Sequence, residues 1–156
     1  MAGGSGGTLA AALLLLRAKS ASLRAVGRLG IVPSLFNVNE PILFGLPIVL
    51  NPRLAIPFVL TPILGATVAF TAMSAGLVAR PRLDVLWTLP APVGAFLSTG
   101  GDPAALILQL VNLAIGAVVW WPFLRRYDAS LLAREGGIPP EAAETEAVGP
   151  SIALQP

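Results

Sequence analysis

The residues best equipped for chemistry sit in one stretch, Asn37-Val38-Asn39-Glu40-Pro41-Ile42-Leu43-Phe44-Gly45-Leu46-Pro47-Ile48-Val49-Leu50-Asn51-Pro52. It sets one carboxylate, three asparagines and three prolines inside an apolar run. Glu40 lies in surroundings that read as membrane, and an ionisable group at bilayer depth is by default a functional-site hypothesis. Each proline removes a backbone donor and turns the residue before it away from helical angles. Non-helical backbone at that depth persists only inside protein or along a wet cavity. The stretch is therefore expected to be a broken or re-entrant segment that carries a polar cluster toward a central site. Binding suits that cluster better than catalysis. The chain has no cysteine and no histidine, which removes thiolate nucleophiles, disulfides and the commonest metal ligand and general base. No pair of acids has the setting of a general acid and base, because the others fall in turns or near the C-terminal end. No metal and no cofactor is expected.

The elements that position Glu40 follow from composition. Apolar residues make up 55% of the 156, charged residues 12%, and mean hydropathy is +0.80. A soluble domain carries about a quarter charged residues, so the expected fold class is all-α integral membrane, with kinked transmembrane helices and re-entrant, hairpin-like segments. Leu54 to Val78 is a run of 25 uncharged residues and Ala104 to Leu124 one of 21; each is long enough to span a bilayer. Pro57 and Pro62 are expected to kink the first. These two runs exclude a soluble enzyme. Leu9 to Leu16 is apolar but short of the ~20 residues a spanning helix needs. A signal peptide fits poorly, since no positive residue precedes the apolar core. The neighbouring glycines suit a turn or close packing, for no phosphate-cradling Gly-x-x-x-x-Gly-Lys pattern exists. Residues 85–99, interrupted by Pro90 and Pro92, are expected to form a second re-entrant piece. Asp102 then suits an N-cap with Pro103 at the first helical position, and Trp120 and Trp121 suit an interfacial belt.

Charge is unevenly placed. Residues 1–127 hold nine Lys/Arg against three acids, and residues 128–156 hold one Arg against five acids. Arginines flank apolar runs rather than forming a solvated basic patch, so nucleic-acid binding is excluded. Arg24 and Arg28 lie one helical turn apart and suit a short interfacial helix. With two re-entrant pieces, residues 17–30, 53 and 125–126 share the cytoplasmic side and Arg80 and Arg82 face out. With two full crossings, Arg53 and the Arg80/Arg82 pair exchange sides. Both schemes put the C-terminus in the cytoplasm, and the lengths and prolines favour the re-entrant one. Residues 1–134 are expected to be a membrane portion and residues 135–156 a disordered acidic cytoplasmic tail.

The pattern Asn-x-Asn-Glu-Pro-x-x-Phe-Gly-Leu-Pro-Ile-Val-Leu-Asn-Pro at 37–52 resembles the signature of a known family. It is that of the membrane (IIC) component of the bacterial sugar phosphotransferase system, lactose/cellobiose/chitobiose type. Gly3-Gly4-Ser5-Gly6, Val85-Leu86-Trp87-Thr88-Leu89-Pro90-Ala91-Pro92, Thr99-Gly100-Gly101-Asp102 and Gln109-Leu110-Val111-Asn112-Leu113 agree in order, so the likeness runs from about residue 3 to about 134. The resemblance implies a multi-pass protein of the bacterial inner membrane, dimeric in the full-length family. Such a permease binds a disaccharide or beta-glucoside and swings it inward to a separate cysteine-bearing IIB protein, which phosphorylates it. The membrane component is then no enzyme on its own. The resemblance further implies that Asn39, Glu40 and Trp87 are pocket residues. A carboxylate accepts from two neighbouring sugar hydroxyls, Asn39 offers a donor and an acceptor, and an indole packs on a pyranose face. Around Trp87 the family pattern of Trp-Thr-Thr-Pro-Pro is altered by Leu89 and Ala91. The resemblance also implies a C-terminal piece of such a permease, with Leu9 to Leu16 at the start of a transmembrane helix, lacking upstream helices that carry dimer contacts and a pocket histidine.

A plainer account makes the chain a small, non-transporting membrane subunit. Glu40 would then pair with Arg28 or Arg53, and Trp87 would be an interfacial anchor. Asn37 and Asn51 are expected to satisfy freed backbone groups rather than ligand. Gln109 and Asn112 are expected to hydrogen-bond between helices, and Asp84 and Asp102 to serve as cap and surface residues.

Overall fold

The structure, a computed structural model, describes residues 3–48 and 50–135. A turn of 3-10 helix at Ser5–Gly7 leads into α1 (Thr8–Leu15), followed by α2 (Ala21–Leu35), α3 (Glu40–Gly45), α4 (Pro52–Ser74), α5 (Ala91–Ser98) and α6 (Pro103–Glu135). No strand occurs among the described residues. At 1.5 Å per residue α4 is about 34 Å long and α6 about 50 Å, each enough for a hydrocarbon core of about 30 Å. Among the described residues these are the two helices long and apolar enough to cross a membrane. Most of their surface stays uncovered: Ile56, Val59, Ile63 and Phe70 on α4 and Ile107, Leu110 and Val118 on α6 are exposed. In a bilayer that is the face that meets acyl chains or other helices.

The caps follow from local chemistry. Asn51 Oδ1 accepts from the Arg53 N–H at 3.0 Å, with Pro52 opening α4. Asp102 Oδ1 accepts from the Ala104 N–H at 2.9 Å, with Pro103 opening α6, as its position in the sequence suggests. Asp102 Oδ2 also accepts from the Ala79 N–H at 2.7 Å, tying the segment after α4 to the start of α6. At the other end of α6, both Asp128 oxygens accept backbone N–H groups, from Lys19 at 2.9 Å and Ser20 at 2.8 Å. This ties the residues just before α2 to α6. α2 ends on Asn37, whose left-handed φ of 62° lets Val38 N–H return to Pro33 O and Asn37 N–H to Ser34 O.

Inside, α1 is buried on nearly every side, and Leu15, Ile42, Leu46, Leu54 and Trp120 form the centre of the core. Gly27 and Gly30 let α2 approach Leu15 and Ile42, while Gly45 lies against Val26, so α2 and α3 pack as a hairpin. Gly6 faces the Phe58 ring so closely that a Cβ there would overlap it.

Two expectations change. Leu9 to Leu16 does not open a transmembrane helix; α1 stops at Leu15 after eight residues and lies in the core. Trp120 is no belt residue. Its side chain is fully buried and its Nε1–H donates to Gly6 O at 3.1 Å, leaving only Trp121 half-exposed. α6 runs past the arginine pair through Glu135, and the rest of the expected disordered tail, residues 136–156, lies outside the described residues.

Two outcomes test these anchors. Trp120→Phe keeps most of the apolar contact but strands Gly6 O, so it should lower unfolding stability in detergent by about 1–3 kcal/mol. Asp102 is held below the usual carboxylate range, first by the Ala79 N–H and then by the Ala104 N–H. A depressed folded value stabilises the fold above the unfolded pKa, and the benefit is lost as pH falls through the folded one. The melting-temperature gap between wild type and Asp102→Asn should therefore be widest near neutrality and close on acidification below about pH 4.

Candidate functional site

Three non-helical pieces of the chain meet at Asn37. Its Nδ2 donates to Trp87 O at 2.7 Å and Leu89 O at 2.8 Å, and its Oδ1 accepts from the Gly3 N–H at 3.2 Å. One amide therefore joins the glycine-rich turn, the tip of the α2–α3 hairpin and the loop before α5. The expected role of Asn37, satisfying freed backbone groups, is the one it has, and Asn51 does likewise as a cap. The left-handed backbone at Asn37 aims that side chain, and asparagine tolerates the conformation better than most residues. Gly4 allows the approach, since a Cβ there would lie 2.5 Å from Asn37 O.

Asn39, two residues on, is buried, and its Nδ2 donates to both Ser5 O and Ser5 Oγ at 2.9 Å. Its donor is thus engaged within the fold. Glu40 opens α3 and its side chain is exposed. Among the described residues it makes no ion pair, with Arg28, Arg53 or any other cation. Trp87 is 69% exposed, its carbonyl held by Asn37 and its indole directed off the loop.

A cavity of about 350 Å³ lies beside this junction, lined by Asn37, Trp87, Leu89, Met73, Thr99 and Gln109 among others. Asn39 and Glu40 do not line it. The structure thus brings the Trp87 loop to the hairpin tip, while Glu40 and Asn39 stand to one side of the cavity. Two polar residues differ from expectation. Gln109 Oε1 and Asn112 Oδ1 are buried without a hydrogen-bond partner, so neither oxygen makes the expected link between helices. Ser5, the partner of Asn39, had no signal beyond its place in a glycine-rich run. The loop before α5 is fixed further by Arg82 and Leu83 N–H groups, which donate to Ser98 O at 2.7 and 3.1 Å.

Among known proteins, the family model described as "Phosphotransferase system, EIIC" matches residues 1–62. The putative permease IIC component YwbA of Bacillus subtilis (strain 168) is 49% identical over 81% of this chain and 29% of that protein. The lichenan permease IIC component of the same organism is 43% identical over 87% of the chain and 30% of its own length. The cellobiose-specific EIIC component of Geobacillus stearothermophilus is 47% identical over 88% and 31%. The crystal structure of the transporter ChbC, the IIC component from the N,N'-diacetylchitobiose-specific phosphotransferase system, superposes with a TM-score of 0.85 at 45% identity. The match covers 88% of this chain and 32% of ChbC. The chain spans about three tenths of the length of these relatives. It is thereby a relative, along most of its own length, of the sugar phosphotransferase EIIC membrane components of cellobiose, lactose and chitobiose type.

Proposed function

We propose that this chain supplies the carboxylate side of the sugar pocket of a phosphoenolpyruvate-dependent permease, taking a disaccharide or beta-glucoside. Asn39, Glu40 and Trp87 are the residues assigned to the sugar. The observation that carries this is the pair of hydrogen bonds that Asn37 Nδ2 donates to Trp87 O and Leu89 O. It anchors the loop that bears an exposed indole to the hairpin tip that leads into Glu40. A carboxylate with no internal partner is free to accept from two adjacent hydroxyls, and charge-assisted bonds of that kind are the strong ones. Asn39 contributes its remaining acceptor. The relatives' own names point to the same chemistry, since they carry lichenan, cellobiose and diacetylchitobiose. The chain is no enzyme by itself in this scheme; a cysteine-bearing IIB protein phosphorylates the sugar, and the full permease is a homodimer.

The side from which IIB approaches follows from the cations. Arg53 lines a hollow with Tyr127 and Arg134 and another with Phe123 and Arg126. Arg17 and Lys19 share a hollow with Arg125. Arg80 and Arg82 instead follow Ala79, which Asp102 holds at the start of α6. Cations gathered at one end favour the cytoplasmic side there, with the C-terminus. That distribution fits the scheme in which 31–52 and 85–99 are re-entrant, and α2 with 15 residues and α5 with eight are too short to cross. Pro57, Pro62 and Pro122 then kink the spans.

The plainer alternative needs Glu40 in a structural ion pair, and the lack of one within the described residues weighs against it.

Two measurements bear on the pocket. Asn37→Ala frees two carbonyls and should speed amide exchange around Trp87 to Leu89 by about tenfold or more, with α4 and α6 unchanged. Equal exchange would mean that the loop is held by something else. With the remaining seven tenths of a permease restored, Glu40→Gln should cut phosphotransferase-dependent sugar uptake about tenfold or more at equal membrane abundance. Undiminished uptake would remove Glu40 from the pocket.

A further inference from the structure

Where α1 and α2 meet α6, a hollow of about 170 Å³ opens between Arg17, Lys19, Leu23, Trp121, Leu124 and Arg125. Leucines floor it and three cations rim it. The Arg125 guanidinium stands 5.2 Å from the centroid of the Trp121 ring, which holds it over the opening. One acid borders the hollow, Asp128, and both its oxygens are already accepting backbone N–H groups of Lys19 and Ser20. None of the three cationic side chains makes an ion pair among the described residues. The rim therefore carries an unbalanced positive charge above an apolar floor.

From this rim an exposed apolar stripe runs back along α6. Trp121, Val118, Ala114, Val111 and Ile107 follow one another at alternating three- and four-residue steps, all exposed. That spacing keeps them on one face, and the stripe is about 21 Å long at 1.5 Å per residue. A soluble anion would use the rim and leave the stripe idle. A molecule with an anionic head and a long apolar tail uses both.

We propose that this hollow is a binding site for an acidic phospholipid. The phosphate sits among Arg17, Lys19 and Arg125, and an acyl chain lies along Trp121, Val118 and the residues beyond. Charge complementarity at the rim, continuity with the stripe, and position where the uncharged run of α6 ends at Arg125 all favour that occupant. Basic pockets between helices at headgroup level are the usual seats of anionic lipid. Such a lipid would bridge α1, the start of α2 and α6, the same elements Asp128 clamps.

The test uses the full chain purified in neutral detergent. Native mass spectrometry would count retained dioleoyl phosphatidylglycerol, dioleoyl phosphatidylcholine and glycerol 3-phosphate, each added at the same concentration. The expected result is phosphatidylglycerol held about tenfold or more over phosphatidylcholine, with no retention of glycerol phosphate. Arg17→Gln and Arg125→Gln should each weaken phosphatidylglycerol binding about fivefold, and Arg80→Gln, at the opposite end of α6, should leave it unchanged. Lys19→Gln tests the same charge without touching the backbone tie to Asp128, should an arginine variant fail to fold. Equal retention of the two lipids, retention of glycerol phosphate alone, or an equal loss on Arg80→Gln would each overturn the site. So would full binding by Lys19→Gln.

Discussion

The Asn37 amide is the interaction on which the remaining geometry depends. Lipid offers no partners to a backbone that leaves the helix, so each non-helical piece must find them within the protein. This chain has three such pieces close together: the turn before α1, the tip between α2 and α3, and the loop before α5. Asn37 bonds to the first and third from its place in the second. A neutral amide suits that position, since it both donates and accepts without the desolvation cost of a charge. Left-handed backbone at the same residue closes α2 and points the amide across the gap.

That bracket separates roles that the residue types alone would merge. Asn37 and Asn39 look alike in the sequence and lie two positions apart. One holds two loops together, while the other ties the hairpin tip to Ser5. Both donor groups are occupied within the fold. Glu40 and Trp87 are left as the residues whose polar or aromatic faces are free, and they are the two whose chemistry best matches the hydroxyl and ring faces of a sugar.

Much of this was legible before any coordinates, where a single physical rule decides the outcome. Uncharged runs of sufficient length became α4 and α6, and Asn51-Pro52 and Asp102-Pro103 became helix starts because side-chain acceptor plus proline is a local signal. The failures share a different cause. Trp120 and Trp121 are neighbours in sequence but about 100° apart around a helix, so they cannot both face an interface. Which of them turns inward depends on Gly6, more than a hundred residues away. Likewise Leu9 to Leu16 is apolar on all sides, a pattern shared by spanning and fully buried helices, and only packing against α2 and α6 tells them apart.

Carboxylates and amides divide the work by depth. Asp102 stands at the start of α6 and Asp128 within its C-terminal part, and each accepts two backbone N–H groups with at least one from a distant segment. An acid near water keeps its charge at little cost, and there it makes the strongest tether available. Between those two acids the tethers are neutral: Asn37, Asn39, the Trp120 indole and the Thr61 hydroxyl, which donates to Pro57 O. Glu40 breaks the division. It adjoins the amide cluster, yet it accepts no N–H group and faces no cation within the described residues. A charge kept beside neutral tethers without a structural return within the described residues is what the proposed pocket requires, in which a hydroxyl-rich neutral ligand would supply the donors.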